Sequence, residues 1–244
     1  MRGWVAGDSP VTAPTLASRP IGPVEVPELV RAFTATRELD AVWRNELGGL
    51  TFRDGERYLK WNPIGSGVDL DDERARLLWL APRHPAPEVL DFARDDSGQV
   101  LITRALPGEG AVTQAWRARP REAVRAIAEG LRTLHAIPVA DCLFLCRWAP
   151  ALRVPTDDLV VVQGDACAPN TIIAADGGFA GHVDLGLLGI ADRWADLALA
   201  SRSLDWNYGP GWQDEFFAAY GVERDEERID LYRGLSDAAD PPRL

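Results

Sequence analysis

Lysine is almost absent from this 244-residue chain. Lys60 is the only one, and the other cationic side chains are arginines and three histidines. Cysteine is scarce as well. Cys142, Cys146 and Cys167 are odd in number, which argues against a disulfide framework and makes a reducing cytoplasm the simpler setting. Cys142 and Cys146 stand further apart than the usual zinc pair and have no paired histidine nearby, which argues against a zinc site. No apolar run approaches the length of a membrane span. Residues 1–25 lack the apolar core of a secretion signal: Pro10, Pro14, Pro20 and Pro23 break them, and Arg2, Asp8 and Arg19 charge them. They are expected to form a flexible lead-in. Positive charge is in deficit overall, with 26 Lys and Arg against 37 Asp and Glu, a net charge of −11. That balance argues against a nucleic-acid partner and suits a small polycationic one.

What is present follows an order. A short helix is expected over Pro27 to Leu39, with Pro27 near its first turn. Strand-like runs follow at 41–43, 50–52 and 58–59. Gly48-Gly49 separates the first two, and Asp54-Gly55 turns the second into the third. Residues 69–80 read as a helix closed off by Pro82, Pro85 and Pro87. Strands at 89–92 and 100–103 flank the turn Asp95-Asp96-Ser97-Gly98. Beyond Pro107-Gly108 the pattern becomes helical. Pro120 opens a run to His135 with Val124, Ile127, Leu131 and Leu134 at three- and four-residue steps. A strand at 159–162 and a hairpin at 171–174 and 179–183 precede helical patterns at 191–204, 212–220 and 226–235. This order predicts an α+β architecture in two lobes. Residues 26–103 form a β-rich lobe with one main helix, 104–108 a hinge, and 109–244 a mostly helical lobe.

The residues with the clearest chemistry are Gln163-Gly164-Asp165-Ala166-Cys167-Ala168-Pro169-Asn170 and, one hairpin later, Asp184-Leu185-Gly186. Transfer of a phosphoryl group from a nucleotide needs a group that orients the attacking hydroxyl and hard oxygen ligands for magnesium. An Asp, an Asn five residues on and a second Asp on the following hairpin supply both, and Asp165, Asn170 and Asp184 have that order and spacing. Either half alone reads equally well as a turn; the three together do not. Lys60 ends an apolar strand and Glu73 lies early in the next helix, the arrangement of a phosphate-contacting lysine held by a helix carboxylate. Gly48 and Gly49 allow backbone amides to approach phosphate, although a glycine pair alone is a plain turn.

These segments resemble the aminoglycoside 3'-phosphotransferases. The similarity also covers 45–52 (Asn45-Glu46-Leu47-Gly48-Gly49-Leu50-Thr51-Phe52), 72–77, 134–138 and 189–200, and runs in family order from about Trp43 to about Ser236. The resemblance implies a protein-kinase-like fold and an ATP- or GTP-dependent kinase acting on an aminoglycoside hydroxyl. It makes Asp165 the catalytic base or hydroxyl-orienting group, and Asn170 and Asp184 the magnesium ligands. Lys60 and Glu73 would position the phosphates, and backbone groups around Arg104–Leu106 would meet the adenine. Asp192 and Asp196 would be structural acids supporting the catalytic loop. Kinases for another hydroxylated metabolite and a silent nucleotide-binding relative remain the alternatives.

Three departures from the family pattern stand out. Gln163 replaces a histidine, from which a less rigid loop is expected. The stretch Leu145 to Asp158 is short where family members carry a long helical segment around the aminoglycoside, so several tens of residues are missing. At the C-terminus, Asp237 is the best match to the family's substrate-contacting tail acids and Asp240 a weaker one; both read equally well as parts of a solvated chain end.

Overall fold

The computed structural model describes residues 18–34, 38–149 and 159–239. Its first part is a five-stranded antiparallel sheet of β1 (Asp40–Arg44), β2 (Leu50–Asp54), β3 (Arg57–Pro63), β4 (Val89–Arg94) and β5 (Gly98–Arg104), in the order β1-β2-β3-β5-β4. The Asp54-Gly55 turn forms as its sequence predicts: Gly55 takes φ 71° and Arg57 pairs with Asp54. The β4–β5 turn is closed by Asp95 Oδ1, which accepts from the amides of Ser97 and Gly98 at 2.8 and 3.1 Å.

One face of this sheet packs Leu50, Phe52, Leu59, Val100 and Ile102 against Val30 of α1 (Glu28–Arg31). Helix α1 is far shorter than the run to Leu39 expected from the sequence. It ends in turns at Phe33 and Thr34, whose amides donate to Val30 and Arg31, three residues back; residues 35–37 lie outside the described residues. The end of the lead-in is also more ordered than expected. Ser18 exchanges two backbone hydrogen bonds with Arg44 at the edge of β1, and Val24 packs on the core. Residues 1–17 lie outside the described residues.

Helix α2 (Leu70–Leu80) crosses the other side of the sheet. Asp69 caps it by accepting from the Asp71 amide, and the Leu70 amide donates to Gln99 Oε1 on β5. Its apolar residues Leu70, Leu77 and Leu80 join Leu101 of the sheet to Leu134, Ile137, Val161, Leu185 and Leu188 of the second part in one continuous core.

That second part comprises β6 (Glu109–Gly110), α3 (Gln114–Arg117), α4 (Pro120–His135), β7 (Leu159–Val162), β8 (Thr171–Ile173), β9 (Phe179–His182), β10 (Gly189–Asp192), α5 (Trp194–Tyr208), α6 (Gln213–Tyr220) and α7 (Glu226–Ala239). Helix α4 starts at its proline and buries the predicted stripe. The helix expected from Ala191 begins three residues later. Residues 189–192 instead pair antiparallel with β7, and Asp192 Oδ1 receives the Trp194 amide at 2.9 Å, ending the strand and starting α5.

A buried histidine pair joins the two parts. His84 Nε2 lies 3.0 Å from His182 Nδ1, so one ring donates and the other accepts, and both are neutral. Burial, with a smaller contribution from His135, lowers the His84 pKa to about 4. Burial beside His84 drives His182 well below its usual value. Below pH 6.5 the unfolded chain therefore binds more protons than the folded one, so stability rises with pH from about 4 to 6.5 and then levels. His84 alone accounts for on the order of 3 kcal/mol of this rise. Thermal unfolding across that range should show the slope, and His84→Gln, which keeps a hydrogen-bonding group without titrating, should reduce it by the His84 share and leave that of His182.

Candidate active site

The loop after β7 is shaped by one carboxylate. Asp196 has no exposed surface. Its Oδ2 accepts from the Gln163 amide at 2.6 Å and lies 3.0 Å from His135 Nε2, while Oδ1 accepts from the Gly164 amide at 2.9 Å. His135 is fixed in turn by the Tyr220 hydroxyl, 2.7 Å from Nδ1. The family-implied structural role of Asp196 matches this geometry. Gly164 has φ 86°, and a Cβ there would stand 2.4 Å from the Leu187 carbonyl oxygen, so only glycine fits. The turn beyond it points Asp165 away from the core.

Asp165 and Asn170 are adjacent. Asn170 Nδ2 donates to the Asp165 carboxylate at 3.1 Å and to the Asp165 carbonyl at 2.8 Å. Two amide hydrogens bind Asp165, so the Asn170 oxygen remains as an acceptor. Cys167 Sγ lies 3.2 Å from Asp165 Oδ1. Burial, with the Asp165 charge beside it, holds this thiol well above its ordinary pKa, so it is a neutral donor. The amide of Ala168 donates to Ser203 Oγ on α5 at 2.9 Å and pins the far side of the loop.

Gln163 does more than substitute for a histidine. Its side-chain oxygen accepts from the Asp165 amide at 2.6 Å, and its nitrogen donates to the carbonyls of Val183 and Asp184, each at 3.1 Å. These three bonds fasten the Asp165 loop to the Asp184 turn, contrary to the looser loop expected from the sequence. Asp184 adopts φ 57°, a left-handed conformation uncommon outside glycine.

Lys60 reaches this turn from β3. Its ammonium lies 2.8 Å from Glu73 Oε2 on α2 and 2.6 Å from Asp184 Oδ1. Burial alone would lower the lysine pKa, but Asp184 and Glu73 outweigh it and raise the value above its usual range. Burial pushes the Glu73 carboxyl up against the opposing pull of Lys60. Lys60, Glu73, Asp165, Asn170 and Asp184 thus form one connected set, with Gln163 as the bridge.

The remaining expected residues lie further out. Gly48 and Gly49 occupy the β1–β2 turn, held by Asn45 Oδ1, which accepts from the Leu47 and Gly49 amides at 3.0 and 2.6 Å. At the end of β5 the amides of Arg104 and Ala105 are already committed, donating to Glu88 and Glu56 carbonyls at 2.9 and 2.7 Å. Arg104 itself pairs with Glu88, and Leu106 packs near Gly181. Asp237 lies on α7 and receives Arg202 Nη1 at 2.7 Å; Asp240 lies outside the described residues. Asn45, Asn62, His135 and Ser203 complete the arrangement but were not singled out from sequence. Each acts across a strand register or a helix contact that local spacing does not reveal.

Comparison with known proteins agrees with this picture. The chain matches the phosphotransferase enzyme family over residues 29–149 and 141–232, two stretches that overlap at 141–149. It is 34% identical to an aminoglycoside 3'-phosphotransferase of Streptomyces fradiae, covering 72% of this chain and 81% of that one. Identity to a streptomycin 3''-kinase of Streptomyces griseus is 33%, over 80% of this chain and 90% of the other. That alignment spans 249 positions over 80% of this 244-residue chain, so several tens of them have no counterpart here. Among solved structures, the aminoglycoside phosphotransferase APH(3'')-Id of Streptomyces rimosus superposes with a TM-score of 0.72 at 29% identity, covering 85% of this chain and 95% of that one.

Asp196→Ala should leave two amides and a histidine without their acceptor, destabilising the fold by about 3 kcal/mol or more in urea unfolding. Asp196→Asn, which keeps one carbonyl oxygen, should fall between the two. With the kinase-like sheet, the α2 ion pair and the Asp165–Asn170–Asp184 loops in the family's order, the chain belongs to the aminoglycoside phosphotransferase family.

Proposed function

We propose that this protein moves the γ-phosphoryl group of ATP or GTP to a hydroxyl of an aminoglycoside, in the cytoplasm. The observation that carries the reading is the unbroken set of contacts from Lys60 through Asp184 and Gln163 to Asp165 and Asn170. Residues 26–103 are the nucleotide lobe, 104–108 the hinge and 109–244 the catalytic and substrate lobe. Relatives named for aminoglycoside and streptomycin phosphorylation, and a Streptomyces rimosus relative solved with ADP and streptomycin, support the acceptor and nucleotide classes.

The donor set suits magnesium. Asp184 is half exposed, at 52% of its side chain, and the Asn170 oxygen is an accepting amide; both are hard ligands. Among the described residues there is no cluster of three or more His, Cys, Asp or Glu able to hold a metal. Two protein ligands still suffice for an ion that keeps water and phosphate in its shell. Bound there, magnesium would neutralise charge on the phosphates. Asp165 accepts the proton of the attacking hydroxyl or orients it. Its carboxylate is held by Asn170 and Cys167. Lys60, held by Glu73, would stabilise phosphate oxygens, and Asp184 with Asn170 would hold the metal.

The acceptor is a polycation whose ammonium groups suit the chain's acidic balance. Asp237 is a candidate contact, its charge shared with Arg202. No helix among the described residues is long and apolar enough to cross a membrane. The short 145–158 stretch favours a second reading of the same chemistry, in which the pocket accepts a different hydroxylated compound.

A magnesium-dependent turnover assay against kanamycin, neomycin and streptomycin tests the acceptor; a flat response to all three would move the assignment to the second reading. Asp165→Ala should lower kcat by roughly 10²–10⁴-fold while nucleotide binding persists. Full activity in that variant would overturn the role given to Asp165.

A further inference from the structure

The β1–β2 turn is tied to β3 through two asparagines, and the hydrogen-bond directions of that link are fixed. Asn45 Oδ1 accepts two backbone amides, from Leu47 and Gly49, so the other end of its amide must be the donor. Asn45 Nδ2 donates to Asn62 Oδ1 at 3.0 Å. Asn62 is therefore left with Nδ2 as its unspent group. The residue is 1% exposed, and this nitrogen has no partner among the described residues. Folded proteins rarely leave such a donor unmet, and each one needs an explanation.

The strand supplies its direction. Asn62 stands two residues beyond Lys60 on β3, so the two share a face of the sheet. That face carries Lys60 to Glu73 and Asp184. The opposite face holds Leu59 in the sheet core. Leu50 pairs with Trp61, which brings Gly49 opposite Asn62. The approach is so close that a Cβ on Gly49 would stand 1.8 Å from Asn62 Oδ1. Gly49 is thus needed for contact with an amide side chain, since its own φ is not positive. Gly48, at φ 82°, supplies the backbone freedom of the turn.

We propose that Asn62 is a phosphate-binding and positioning residue. Through Asn45 it sets the shape of the glycine turn, and its Nδ2 donates to a phosphate oxygen of the nucleotide when the turn lifts to admit it. The ligand class is a nucleoside triphosphate, and the proposal rests on the phosphotransferase reading above. Lys60 supplies the charge and Asn62 a neutral, directional donor two residues along the same strand.

The test compares binding of magnesium–ATP with binding of adenosine, which lacks the phosphates, by calorimetry on the full chain. Asn62→Asp keeps an oxygen to accept from Asn45 and replaces the unspent donor by a second oxygen. It should weaken ATP binding roughly tenfold or more while adenosine binding stays at the wild-type value. Asn62→Ala, compared by the same ATP-to-adenosine ratio, guards against a folding defect in the first variant; thermal unfolding checks both. Equal weakening of ATP and adenosine would overturn the proposal by showing a merely structural role, and so would unchanged binding of both ligands in both variants. A wild-type chain that binds neither ligand would sink the phosphotransferase reading itself, and this proposal with it.

Discussion

A carboxylate sealed from water must have its charge met by fixed dipoles, and Asp196 meets this requirement by recruiting the catalytic loop. Both oxygens are spent on the amides of Gln163 and Gly164 and on His135. Leaving any of these partners would strand a buried charge, so the loop has one shape. The consequences spread outward. Gly164 is forced into a conformation only glycine adopts, Asp165 is turned outward, and Gln163 is left to face the Asp184 turn. The site geometry is therefore set from beneath, by a residue that touches neither nucleotide nor acceptor.

The second constraint acts on α2. This helix is bound to the helical part by more than the shared apolar core. The Arg76 guanidinium is buried and donates to the Leu188 carbonyl at 2.8 Å, just beyond the Asp184 turn, and stacks over Phe144. Burial lowers the Arg76 pKa, with Asp72 opposing that effect. Trp79 donates to the Asp141 carbonyl, and Arg147 pairs with Asp72. Segment 141–147 thus braces the helix that carries Glu73, and Leu145 bridges to Ile190 on β10. The Lys60–Glu73 pair is held by packing from both parts of the molecule, so it does not depend on its own charge alone.

Much of this was legible in the sequence because it is encoded locally. Turn glycines, the Pro120 helix start and the period-two strands each carry their own signal, and Asp165, Asn170 and Asp184 are recognisable by spacing alone. What escaped was encoded by register. Asn45 and Asn62 meet only because β2 pairs with β3 in one alignment, and nothing local in either asparagine announces the other. Analogy with the histidine it replaces hides the three bonds that the Gln163 amide makes and an imidazole cannot. Ala191 and Asp192, the end of the strand at 189–192, look helical because they run straight into a helical pattern; only their pairing with β7 decides otherwise. That the Arg104 and Ala105 amides donate to the Glu88 and Glu56 carbonyls is likewise a matter of pairing, which local sequence does not show.

The single lysine gives the molecule an unusual chemical property. Arginine does not lose its proton under ordinary conditions, so Lys60 is the only side chain in the protein that can become a free primary amine. Its two carboxylate neighbours keep it protonated and poorly nucleophilic. Any event that draws Asp184 away removes one of them and makes the amine more reactive. An acylating or reductively alkylating reagent would find one side-chain amine in the whole chain, and its rate would report how closely Asp184 and Glu73 stay against it.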